Sequence, residues 1–135
     1  MELALSTTLH TTFDDAIERT RTALAAQGFG ILTEIDMRAT MKAKLDEEME
    51  DYLILGACNP ALAHRAVGID RQIGLLLPCN VVVRRERTAS DTDTVIVEAM
   101  NPELMARITG EPALDPVVAD ATARLRAAIG ELAAG

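Results

Sequence analysis

The feature that most constrains the fold is the stretch Gly74-Leu75-Leu76-Leu77-Pro78-Cys79-Asn80-Val81-Val82-Val83. A run this apolar must be buried, and its length suits a strand crossing a core. The proline at its centre has no N–H to give to a ladder. Such a strand therefore lies at an edge, carries a bulge or breaks there. Interruptions of this kind re-aim a neighbouring side chain, here Cys79. An upstream stretch echoes the pattern: Tyr52-Leu53-Ile54-Leu55-Gly56-Ala57-Cys58-Asn59-Pro60. Each run reaches a Cys-Asn pair beside a proline, and Cys58 and Cys79 are the two cysteines of the chain.

The remaining composition bounds what these stretches can serve. With 135 residues, 49% hydrophobic and 25% charged, the chain suits one globular domain over residues 1–135. Aromatics are 2%, so the core must be aliphatic. The formal net charge of −8 repels a phosphate backbone, and without tryptophan there is little to stack on bases. Nucleic acid is therefore not an expected partner. Arg84, Arg85 and Arg87 read as a solvated strand end. No apolar run approaches the roughly 20 residues of a membrane span, so no membrane partner is expected. Met1-Glu2-Leu3-Ala4-Leu5-Ser6 lacks the basic start of a secretory signal. The resulting expectation is a cytoplasmic protein, in which two cysteines read as free thiols, a metal pair or a redox pair before a structural disulfide.

Periodicity and capping residues divide the chain. Residues 2–9 alternate with period two, a strand. Thr12 caps a helix over 13–27 that Gly28 ends. Residues 31–37 form a second strand, with Ile31, Thr33 and Ile35 expected on one face. Asp36 caps a helix over 39–46, and an acidic run at 46–51 reads as a solvated helix end. Tyr52 to Cys58 is the third strand. Asn59-Pro60 is a strong helix start, Asn at the cap and Pro in the first turn, and Gly68 is expected to stop that helix at Val67. Residues 73–87 read as the central strand, 88–93 as a turn and 94–100 as its hairpin partner. Asn101-Pro102 opens a short helix through Ile108. A last amphipathic helix runs from 115 or 116 to 132. Five strands and about five helices fit an α+β fold or a compact α/β sandwich, and the final hairpin makes the sheet at least partly antiparallel.

The chemistry available to the two cysteine stretches is limited. Cys58 sits where a strand meets a helix N-terminus, a position that favours a thiolate or a bound anion. If the two strands are neighbours, Cys58 and Cys79 face one pocket. Cys58 would then be nucleophile or ligand, and Cys79 the resolving thiol or second ligand. Asn59 and Asn80 would orient the bound group, and His64 would assist proton transfer. Core packing is the plainer reading of either cysteine alone, as an N-cap is for Asn59 and a surface position for His64. No CxxC pair, Ser–His–acid order or glycine-rich phosphate loop occurs, so no metal site, cofactor or reaction is assigned. The methionines read as core filler.

Three segments in order carry a family resemblance: Gly28-Phe29-Gly30-Ile31-Leu32-Thr33-Glu34-Ile35-Asp36, Tyr52 to Pro60, and Gly74 to Val83, with Ala63-His64-Arg65-Ala66 after the Cys-Asn-Pro. Over roughly residues 10–132 the chain resembles the domain of unknown function 302 family. That resemblance implies a single α+β domain: a mainly antiparallel sheet of about five strands with helices packed on one face. It also implies a homodimer. Proximity of some relatives to sulfur-handling proteins makes a small or sulfur-containing ligand the expectation for the Cys58 and Cys79 stretches. The alternative is a non-catalytic structural or protein-interaction module with both cysteines in the core.

Overall fold

The structure is a computed structural model that describes residues 2–87 and 93–135. Among these residues lie five strands: β1 (Ala4–His10), β2 (Gly30–Asp36), β3 (Tyr52–Cys58), β4 (Cys79–Arg85) and β5 (Thr94–Met100). They form one sheet in the order β1-β5-β4-β3-β2, and every neighbouring pair is antiparallel. The helices are α1 (Phe13–Ala26), α2 (Met37–Leu45), α3 (Pro60–Ile69), α4 (Glu103–Thr109) and α5 (Asp115–Ala134), with short 3-10 turns at Arg71–Leu76 and Pro112–Leu114. The fold is α+β.

Strand alternation sorts the sheet into two faces. Leu5 and Leu9, Leu53 and Leu55, Val81 and Val83, and Val95 and Val97 point to one side. There they pack with Ala16, Ala23 and Leu24 of α1 and with Leu125, Ala128 and Leu132 of α5. The apolar positions of both helices recur at three and four residues, so each lays a continuous stripe on the sheet. A second cluster covers the end of the same face. It contains Leu62 and Ala66 of α3, Cys79, Met105 of α4, and Val117, Val118 and Ala121 of α5. No helix among the described residues is long and apolar enough to cross a membrane.

Local signals explain most boundaries. The Thr12 hydroxyl accepts the Asp15 N–H at 3.1 Å, Asp36 accepts that of Ala39 at 2.9 Å, and Asn59 accepts that of Leu62 at 3.3 Å. Each cap satisfies an N–H that the first helical turn leaves without a partner. After α1 the backbone at Gly28 takes φ +84°, a left-handed conformation that suits glycine. The acidic run is held in ion pairs. Lys42 meets Asp46 and Glu48, and Asp51 bridges Arg38 and Arg85.

Three readings are corrected. Residues 73–78 are not strand: a 3-10 turn occupies Arg71–Leu76, capped by Asp70, and β4 begins only at Cys79. Pro78 thus stands just before the strand, where its missing donor interrupts no ladder. Ile73 in this turn is buried in the second cluster, which accounts for the apolar run without strand pairing. The regular alternation assigned to β2 also fails. Ile31 pairs with Ala57 but Thr33 with Gly56, so a bulge at Leu32 turns Ile31 toward the core and Thr33 and Ile35 away from it. Finally, α3 continues through Gly68 to Ile69. A single glycine weakens a helix without ending it. Of the turn expected at 88–93, residues 88–92 lie outside the described residues.

Gly56 shows how closely the elements meet near the cysteines. A Cβ there would lie 2.0 Å from Thr33 Oγ1 and 2.8 Å from Pro78 Cγ. Only a glycine lets the β2 bulge and the proline before β4 close over β3 at this point.

Candidate functional site

The two cysteine stretches are brought together. Residue Ala57 of β3 pairs with Cys79 of β4, so the Cys58 and Cys79 segments are adjacent at one end of the sheet. Both cysteines are free, Cys58 half-buried and Cys79 buried. They line one cavity of about 40 Å³, together with Phe29, Ala57, Asn59, Leu77, Met105 and residues of α3 and α5. Apart from Asn59 and the two thiols, these walls are apolar: Leu62, Ala63 and Ala66 come from α3, and Val117 and Ala121 from α5.

Asn59 joins three elements around this cavity. Its side-chain oxygen caps α3, while Nδ2 donates to the Gln27 carbonyl at 3.5 Å. Arg124 of α5 donates to the same carbonyl at 3.2 Å and is paired with Asp120 at 2.8 Å. The end of α1, the start of α3 and the middle of α5 are thereby tied at one carbonyl oxygen. Gly28 is adjacent, with the Asn59 amide 3.0 Å from where a Cβ would stand.

Burial sets the chemistry of the Cys79 thiol. Burial, and then the neighbouring Cys58, push the Cys79 thiol up to about 11. Removing the proton would leave a charge among alkyl groups without a cation to meet it. At neutral pH Cys79 is therefore a neutral thiol, the poorly nucleophilic form of cysteine. Such a thiol suits van der Waals contact with a soft or apolar group better than attack on a disulfide.

The other candidate residues stand apart from the cavity. Asn80 is exposed and pairs with Gly56, on the sheet face opposite that of Cys79. His64 is exposed on α3 and is not a wall of the cavity. Among the described residues, no three His, Cys, Asp or Glu side chains converge as a metal-binding group. The sequence reading did not include Phe29, Met105, Val117 or the link from Arg124 to Gln27. Phe29 directly follows the glycine that ends α1, a position from which a large side chain turns inward. The contribution of α5 depends on long-range packing that no local pattern announces.

Comparison with known proteins agrees with this architecture. A crystal structure of an uncharacterized conserved protein DUF302 from Bacillus stearothermophilus is similar at a TM-score of 0.86 and 26% identity, covering 97% of this chain and 98% of that one. A search of curated proteins finds no match. The family model described as Domain of unknown function DUF302 matches residues 5–132, and the chain belongs to that family.

Proposed function

We propose that this domain binds a small ligand in the cavity shared by Cys58 and Cys79, and that it works as a homodimer. The observation that carries the reading is the joint lining of one apolar cavity by both cysteines. The walls select against charge, because an ion placed there loses its hydration and gains no counterion. A group of methyl or methylthio size fits the volume of about 40 Å³. The ligand class is thus small, uncharged and apolar or soft, including sulfur compounds. Cys58 is the accessible thiol of the pair and Cys79 a neutral wall. No reaction is assigned, since no acid–base pair lines the cavity among the described residues.

Dimethyl sulfide is a suitable probe. Titrating it into the methyl-labelled protein should give saturable shifts at Ala57, Ala63, Ala66, Ala121 and Met105, and little change at Val83 or Val97 in the main core. Shifts that are absent, or spread evenly over the molecule, contradict the reading.

A second reading rests on the burial of Cys79, at 7% exposure, and on its raised thiol. In that case both cysteines only pack the interior, and the domain is a structural or protein-interaction module. Dimethyl sulfide would then leave every methyl signal in place.

A further inference from the structure

One face of the sheet is covered by helices and contributes to both clusters. On the other, Ile35, Ile54, Val82 and Ile96 belong to neither cluster. The register sets them in adjoining rows, since Ile35 pairs with Ile54, Ile54 with Val82 and Arg84 with Ile96. Ile35 is 45% exposed and the other three are half-buried. We propose that this face is where a second copy of the chain docks, which gives the dimer of the preceding reading its surface and rests on that reading.

Charge favours a second copy on this face. A chain of net charge −8 repels its own kind over most approaches. The apolar patch here holds Arg84 and Glu98, paired at 2.8 Å, with Glu86 close to Arg84 as a second anion. Val82 pairs with Glu98 and Arg84 with Ile96, so the four side chains occupy the corners of a small rectangle. A two-fold axis along its Val82–Ile96 diagonal sets each of those residues against its own copy. The same operation brings Arg84 beside Glu98 of the second copy, in both directions. Strands of the two sheets then cross steeply, as in orthogonal sheet packing. An isologous contact of this kind is closed and stops at two copies.

The test is native mass on the full chain at micromolar concentration. Wild type should give twice the 14.5 kDa chain mass. Arg84→Glu and Glu98→Arg should each give the monomer, because each places like charges across the axis, and an equal mixture of the two should restore a heterodimer. Leu75→Glu, at a side chain 84% exposed elsewhere, should leave the dimer intact. A monomeric wild type overturns both the dimer and its surface. A dimer that survives both charge variants, or a mixture that stays monomeric, overturns the surface alone. Hydroxyl-radical footprinting of wild type needs no substitution. Oxidation of Ile54 and Val82 should fall as concentration rises, and oxidation unchanged through dimer formation overturns the surface.

Discussion

The two hydrophobic clusters lie on the same sheet face but are finished differently. In the main core Leu55, Val83, Val95, Val97 and Leu125 are all 0% exposed. In the cysteine cluster Ile73 and Leu114 are closed to 1%, but Leu62, Cys79, Met105, Val117 and Val118 retain 6–7%, and a cavity lies among its walls. The difference follows from what covers each part. The main core lies beneath the 14-residue α1 and the 20-residue α5, which carry long apolar stripes. The other end is closed by the first turns of α5 together with α3, α4 and 3-10 turns, whose side chains approach from several directions. The fully closed side chains are concentrated in the first region, and the candidate for function is in the second.

The largest effect that could break this contrast is expected at Leu55. Leu55→Ala should cost about 3 kcal/mol, the scale for a buried leucine whose surroundings relax only in part. Chemical denaturation measures it. A cost below about 1 kcal/mol would mean that the main core is no tighter than the cysteine cluster.

A pH series tests the second region. The folded state raises Cys79 from an ordinary 9.0 to about 11, so it holds that proton more tightly than the unfolded chain does. The associated stability is fully present below about pH 9 and is lost as pH rises to about 11, a change of roughly 2–3 kcal/mol. Subtracting the stability profile of Cys79→Ala from that of wild type isolates the effect. A difference that stays flat over this window would mean that Cys79 is solvated.

Asn59→Ala sharpens the comparison at the junction beside the cavity. Loss of the α3 cap and of the bond to Gln27 should cost about 1 kcal/mol. The larger effect should be local, as faster amide exchange at Leu62 and Ala63 than in β4. Uniform acceleration through the sheet would show that the junction is not a separate unit.

The sequence made much of this architecture legible because much of it is local. Thr12, Asp36 and Asn59 are caps whose hydrogen bonds lie within three residues. Strands β1, β3 and β5 follow simple alternation or an apolar run, whereas the adjacency of the cysteine segments was only a condition in the sequence and rests on the antiparallel pairing of β3 with β4. Errors arose where a tertiary contact overrides the local signal. Ile73 and its neighbours are apolar enough for a strand, yet they fold as a 3-10 turn against the second cluster. The Leu32 bulge is invisible to a period-two reading because one extra residue shifts the register without changing composition. Most of the cavity walls were hidden for a similar reason. Phe29, Met105 and Val117 are far apart in sequence and meet only after α4 and α5 return across the end of the sheet.

Whether Cys58 and Cys79 share a ligand site is decided by alkylation of the native protein with iodoacetamide at pH 7, followed by peptide mapping with and without saturating dimethyl sulfide. Cys58 should be modified while Cys79 is spared, and dimethyl sulfide should slow modification of Cys58. Equal labelling of both thiols, or a Cys58 rate indifferent to dimethyl sulfide, would contradict a ligand site in their shared cavity.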